Sequence, residues 1–558
     1  MNKLRSILTS KPPTGTPAEP TKSYQPRPNP TGTLPPPTPA YSKNPPRLIL
    51  IGGGSRGQAL ARAIVHGSNG HLVAIAEPDP IRRRQVGRHC IWGIEEPSEG
   101  EEFEGWGQFL EWELARRAGA AAAPIDETGT SKIIDAAVIC TADQTHREIV
   151  LTLAPLGIHL MCEKPLATSL QDLFDIYRFL GPKQDIALPS ASASAGILFA
   201  VGHGMRYTPH NQLLRKLVRE DEVIGDVVSV EHTENVGWWH FCHSYVRGNW
   251  RKEKTSGPSL LTKSCHDIDF LLWLLAEPNL PRPGEERAPV HLPSSVSSSG
   301  LLKFFRQKRK PRSAGNATNC LSCPAEQDCH FSAHKIYWEK GVCMGLGGWP
   351  ADVVLPDIED LLDSGGLQAV KDKLDTTLME DYTSSTSEKE VSSRQWYGRC
   401  VFESDNDVCD DQTVHISWDD DEGNDFYAKS ATFHMTAFTE GVCTKQMRIF
   451  GTKGEISTDG ALVTVRDFVT GETKSITPPM STGGHSGGDY GLMKQFVLAV
   501  DAVKNHGLEL ESSQIEFIGC TMEDIIRSHS LVFAAEEARK LGAQVDWKEW
   551  WKSNFRKQ

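Results

Sequence analysis

No apolar run in this chain approaches the roughly 18 residues that a helix needs to cross a bilayer. The densest stretch, Phe270-Leu271-Leu272-Trp273-Leu274-Leu275, is far too short, so no membrane association is expected. Positive charge is also scarce. The 558 residues carry a formal net charge of −13, which repels phosphate backbones and sets nucleic acid aside as a partner. No secretory leader is expected either: Met1 to Leu8 begins basic, but no apolar segment develops behind it. The 13 cysteines are odd in number and scattered, which predicts free thiols in a reducing compartment and hence a cytoplasmic protein. What remains is ordinary: 39% hydrophobic and 23% charged residues, in a chain long enough for two or three domains.

Residues 1–46 hold 13 of the 34 prolines and cannot bury enough apolar surface to offset ordering entropy, so a disordered arm is expected. From Arg47 the pattern changes abruptly. Leu48-Ile49-Leu50-Ile51, Leu72 to Ala76, Asp135 to Cys140 and His159 to Cys162 read as buried strands without alternation, separated by helical stretches. That order predicts an α/β domain with a doubly wound parallel sheet over residues 47–200. Beyond it, Val227 to Val236, Val414 to Trp418, Ala431 to Phe438 and Met447 to Phe450 alternate, as strands of an open, mainly antiparallel sheet do. Residues 201–545 are therefore expected to form an α+β domain. The poorly patterned stretch around 276–395 reads as surface insertions.

Gly52-Gly53-Gly54-Ser55-Arg56-Gly57 follows a buried strand, opens a helix and precedes an acid, Glu77, by twenty positions. This is the context in which a glycine turn binds a dinucleotide: the glycines admit the pyrophosphate against the backbone, and the helix N-terminus favours its charge. Glu77 would accept the ribose hydroxyls and repel a 2′-phosphate, favouring NAD; Arg82, Arg83 and Arg84 nearby leave NADP as the alternative. Further on, Cys162-Glu163-Lys164-Pro165 places a lysine at the carboxyl edge of the sheet, where desolvation can bring an amine toward proton exchange.

Together with Leu260 to Asp269, these motifs resemble the Gfo/Idh/MocA oxidoreductases, over roughly residues 47–275 and 395–540. The resemblance implies a Rossmann domain followed by an open-sheet domain, and hydride transfer between NAD(P) and a hydroxyl carbon of a sugar, polyol or cyclitol. It implies Lys164 and His266 as the catalytic pair. Gly52, Gly54, Ser55, Arg56, Gly57, Glu77, Thr141, His146, Glu163 and Lys164 would hold the cofactor. One departure matters: Thr262 stands where many relatives have Asp, and Lys263 beside it could compensate on the substrate. A glycosidase that oxidises transiently and a non-catalytic regulator are the alternative readings. Self-association through the C-terminal sheet is compatible with the family.

Asn235 to Arg251 mixes aromatics, histidines and arginines, a mixture suited to sugars; Trp239, His243 and Arg247, with His485 further on, are the expected substrate contacts. Cys320-x2-Cys323-x5-Cys329 has the beginning of zinc-ligand spacing, with His330, His334, Cys343 and Cys400 as fourth-ligand choices and free thiols as the alternative. No catalytic metal is expected. The basic run Lys303 to Arg312 reads as a solvated loop.

Overall fold

The computed structural model describes residues 42–120, 134–181, 196–278, 288–344, 348–478 and 487–556. Most of the proline-rich arm and the expected contact His485 lie outside these residues.

Six strands form the first sheet: β1 (Arg47–Ile51), β2 (His71–Ala76), β3 (Glu102–Phe103), β4 (Ala136–Ile139), β5 (His159–Cys162) and β6 (Phe199–Val201). Their spatial order is β3-β2-β1-β4-β5-β6, and every pair is parallel. Leu48, Ile49, Leu50 and Ala136 to Ile139 are sealed from solvent, which explains their unbroken apolar character. Strand order reverses between β1 and β4, and at such a point the carboxyl ends of the strands open a crevice for ligands.

The second sheet has nine strands: β7 (Val227–Asn235), β8 (Ser295–Leu301), β9 (Asp411–Trp418), β10 (Lys429–Thr436), β11 (Thr444–Gly451), β12 (Gly454–Thr458), β13 (Val463–Asp467), β14 (Thr473–Ile476) and β15 (Val545–Asp546). They run β14-β13-β12-β11-β7-β10-β9-β8-β15. Only β7 and β10 pair in parallel; the rest are antiparallel. Alternation is plain in β10, where Ala431, Phe433 and Met435 face the core.

The stretch 276–395 is more than surface insertion. Within it β8 is an integral strand along the whole of β9, and Ile336, Tyr337, Leu374 and Leu378 join the same core as Val414 and Phe433. Serine-rich β8 (Ser-Val-Ser-Ser-Ser-Gly-Leu) has little strand propensity of its own, so its neighbour decides its conformation.

The helices that matter for the site are α1 (Ser55–Gly67), α2 (Cys265–Leu275), α3 (Gly488–His506) and α4 (Met522–Leu541). Leu492, Met493, Phe496 and Val497 of α3 are buried in the first sheet's core, so the chain returns to its N-terminal layer near its end. α4 spans both cores, with Ile525 and Ile526 in the first and Leu531, Val532 and Ala534 in the second. A capping box between Thr521 and Asp524 starts it.

Beneath α2 lies a buried ionic cluster. Arg206 donates two hydrogen bonds to Asp269 and two to Glu277, all within 2.8 Å. Removing one member of such a cluster leaves charge buried without a counterion. Arg206→Ala is expected to cost about 3–5 kcal/mol of folding stability, measured by denaturant unfolding. An unchanged midpoint would show that the cluster contributes nothing net.

Candidate active site

The glycine turn owes its composition to crowding. Gly52 has φ +98°, and a Cβ there would lie 2.5 Å from the Cys140 carbonyl oxygen; one on Gly57 would lie 2.0 Å from that of Gly52. No side chain caps α1, whose N-cap is Gly54. The result is a bare backbone cradle at a helix N-terminus, which fits a pyrophosphate. Behind β2, the Glu77 carboxylate accepts from the Gly53 N–H at 2.6 Å and the Asp79 N–H at 2.9 Å, so the acid lines the turn. The Arg82 guanidinium stands 4.0 Å from where a Gly54 Cβ would be.

Arg56 leaves the turn and forks. It donates to Glu163 at 2.6 and 3.0 Å and to Asp489 on α3 at 2.9 Å through two nitrogens. Burial disfavours its charge, but the two carboxylates outweigh that and raise its pKa. Thr141 lies in the loop after β4, where its hydroxyl accepts from Thr145 at 2.7 Å. The His146 ring is fully buried, with Nδ1 2.9 Å from the Pro165 carbonyl oxygen and Nε2 3.2 Å from that of Thr141. The imidazole thereby ties the β4 loop to the turn that presents Lys164.

Lys164 follows β5 and precedes a cis peptide bond to Pro165. Its ammonium donates to the Thr262 carbonyl at 2.7 Å, across to the segment that leads into α2. His266 stands in the first turn of α2, with Nε2 3.2 Å from an Asp267 carboxylate oxygen. Burial, reinforced by the nearby Lys164 charge and opposed by Asp267, pushes its pKa down to about 3. The imidazole is therefore neutral near pH 7 and available to accept a proton.

Lys263 and Lys445 form ion pairs inside the second domain. Lys263 lies 2.8 Å from Glu234, and Lys445 contacts Glu234 and lies 3.1 Å from Asp267. Asp267 also accepts from His232 at 2.8 Å. Lys263 reaches the Cys443 sulfur at 3.1 Å, and that sulfur lies 3.3 Å from His240 Nδ1. Glu234, His266 and Asp267 are close enough together to hold a cation, but the two ammonium groups already occupy that position electrostatically.

The expected substrate residues separate here. Trp239 packs against Trp349 at 5.1 Å between ring centroids, and Trp349 also meets His240 and His243 edge-on. His243 is buried, stacked on Tyr397, with Nδ1 3.1 Å from the Tyr337 hydroxyl. Arg247 is 1% exposed and spends its donors on the Arg399 and Phe331 carbonyls, turned into the interior. Lys164, Lys263 and His266 come together; Arg247 does not join them. Glu234, Asp267, Lys445, Asp143 and Asp489 were not anticipated. Asp143 accepts from the Trp250 indole at 2.8 Å. Glu234 and Lys445 had a signal: both occupy inward positions of alternating strands, where a charge needs a partner.

Two family models match the chain. Residues 47–188 fit the oxidoreductase family, NAD-binding Rossmann fold, and residues 215–280 fit the oxidoreductase family, C-terminal alpha/beta domain. Among curated relatives, the 2,7-anhydro-N-acetylneuraminate hydratase of Escherichia coli K12 is 31% identical over 153 residues, covering 27% of this chain and 37% of that protein. Inositol 2-dehydrogenase 2 of Paenarthrobacter aurescens is 28% identical over 172 residues, covering 29% of this chain and 46% of that one. The match thus spans less than half the length of either relative. A levoglucosan dehydrogenase solved with NADH and levoglucosan shares the fold, with a TM-score of 0.52 at 15% identity over 90% of this chain and 99% of that one.

The paired lysines set the acid behaviour of Glu234. Burial raises its pKa, but Lys263 and Lys445 outweigh burial and bring it down to about 2. A depressed folded-state pKa contributes stability above the unfolded value and loses it as pH falls through the folded value. The stability gap between wild type and Glu234→Gln should therefore be full above about pH 4.5 and close toward about pH 2. Denaturant titrations at several acidic pH values test this; a gap that stays constant would sink the assignment.

Proposed function

From a chain that belongs to the Gfo/Idh/MocA family of oxidoreductases, we propose an NAD-dependent enzyme that oxidises a hydroxyl carbon of a sugar, polyol or cyclitol. The observation behind this reading is the meeting of Lys164, at the carboxyl edge of the first sheet, with the Thr262–His266 segment of the second domain. The bare backbone of residues 52–57 and the carboxylate of Glu77 would hold the dinucleotide, with Thr141 and Glu163 along its path. When bound, the nicotinamide supplies the hydride acceptor.

The chain's own residues manage the proton and the charge. Neutral His266 accepts the hydroxyl proton, and Asp267 beside it stabilises the imidazolium that forms. The Lys164 ammonium, held on the Thr262 carbonyl, can turn toward a substrate oxygen and stabilise negative charge there. Lys263 binds rather than reacts, because Cys443 and Glu234 together outweigh burial and hold it in its charged form. Trp239, His240 and Trp349 offer the aromatic surface that the C–H faces of a sugar ring need. The unpaired cysteines suit the reducing cytoplasm.

Transient oxidation without net turnover of the cofactor is the second reading, favoured by Thr262 in place of an acid and by the hydratase among the relatives. Mass spectrometry of co-purified cofactor, followed by a screen of sugars and inositols for NADH formation, separates the two. Sugar conversion without NADH accumulation selects the second.

Two substitutions test the residue roles. Lys164→Ala should lower turnover roughly a hundredfold or more, the scale of a lost acid/base partner, with a much smaller loss of NAD affinity because the glycine turn and Glu77 remain. Undiminished turnover on a true substrate removes Lys164 from the mechanism. Glu77→Ser should narrow the preference for NAD over NADP by relieving repulsion of a 2′-phosphate beside Arg82, read as the ratio of kcat/KM for the two cofactors. An unaltered ratio means that specificity lies elsewhere.

A further inference from the structure

A second cysteine-lined site lies away from the proposed chemistry. Cys320, Cys323, Cys329 and Cys400 all face one cavity of about 30 Å³, closed by Pro311, Ala314 and Phe402 among others. The first three come from one short segment of tight turns, in which the Cys323 N–H donates to the Cys320 carbonyl and the Cys329 N–H to that of Glu326. Cys400 arrives from another part of the chain. An isolated antiparallel bridge pairs Asn319 with Arg399, so Cys320 and Cys400 sit just beyond paired residues of two adjacent strands. Of the fourth-ligand choices in the sequence, Cys400 is the one that lines this cavity; Cys343 is exposed and His330 packs on Phe331.

Arg247 provides the independent observation. Its guanidinium is buried, and its hydrogen bonds run to the Arg399 carbonyl, the Phe331 carbonyl and, at 3.3 Å, the Cys320 sulfur. These acceptors belong to the three segments that carry Cys320, Cys329 and Cys400. Its remaining nitrogen, Nη1, is buried without a partner, and no carboxylate pairs with it among the described residues. A buried guanidinium facing only carbonyls and a thiol lacks a counterion, which is costly. A thiolate cluster would supply it.

We propose that Cys320, Cys323, Cys329 and Cys400 form a structural zinc site, with Arg247 balancing part of its negative charge. Binding exchanges four thiol protons for one Zn²⁺, leaving a tetrathiolate centre of net charge −2 and releasing the four protons to solvent. The sulfurs do not yet form a tight ligand group, since the only such group found among the described residues is Glu234, His266 and Asp267. Zinc binding requires the four side chains to turn inward. The cavity of about 30 Å³ has room for a single ion. No open position remains for substrate, so the site is structural. Its effect is to pin the segments that bear Tyr337 and Tyr397 behind His243, next to the aromatic surface around Trp349.

Metal analysis of the purified full chain, expressed with zinc in the medium, should find about one zinc per chain. Cys329→Ser should lose it, whereas Cys343→Ser, outside the cavity, should keep it. Should Cys329→Ser fail to fold, wild-type protein stripped of zinc and given Co²⁺ is the alternative measurement. Intense visible bands with sulfur-to-cobalt charge transfer report a tetrahedral thiolate site. Zinc below about a tenth of an equivalent together with no cobalt spectrum overturns the proposal, as does an iron–sulfur chromophore. None of these readings requires a substrate, so a zinc-loaded protein without dehydrogenase activity would uphold the metal site and sink the proposed function.

Discussion

The fork of Arg56 is the contact on which the geometry of the crevice depends. One guanidinium, on the first turn of α1, holds Glu163 from the edge of β5 and Asp489 from the start of α3. The glycine cradle, the lysine-bearing turn and the returning helix are thus fixed relative to one another by a single planar group. A lysine could not replace it, because three nitrogens of one rigid plane serve the two carboxylates: Nε donates to Glu163, Nη1 to Asp489 and Nη2 to both. His146 repeats the device at shorter range with its two ring nitrogens, between the loop after β4 and Pro165. The fold therefore fixes this edge of the sheet through contacts among its own side chains.

Much of the first domain was legible because its strands are buried on both faces and its turn is sterically forced. Gly52 and Gly57 could be no other residue, and apolar runs such as Leu48 to Ile51 have no second reading next to them. The second domain was only partly legible. Alternation revealed β7, β9, β10 and β11, but β8 is a serine-rich strand held by its neighbours, and periodicity has no access to that. The same limit applied to Arg247. Its place in the aromatic and basic segment suggested a substrate contact, and only the tertiary structure reveals that its fork faces backbone carbonyls and a thiol.

Charge in the second domain is organised as matched pairs rather than as a surface property. Two lysines, two carboxylates and two histidines meet around Asp267 and Glu234, on inward positions of β7 and β11 and at the start of α2. Such a group costs desolvation and returns little net stability, but its ion pairs keep Glu234 and Asp267 ionised beside two charged lysines. That is what a site needs if His266 is to stay neutral and Lys263 cationic.

The return of α3 to the first sheet has a consequence for how the protein is made. Leu492, Phe496 and Val497 complete a core whose strands leave the ribosome early, yet these residues are synthesised only after every strand of the second sheet except β15. The N-terminal layer must wait with an apolar face open while most of the chain is still being translated, a state in which nascent proteins engage chaperones or aggregate. Biogenesis is thereby tied to the far end of the polypeptide: a ribosome that stalls before α3 releases two incomplete domains instead of one finished and one missing.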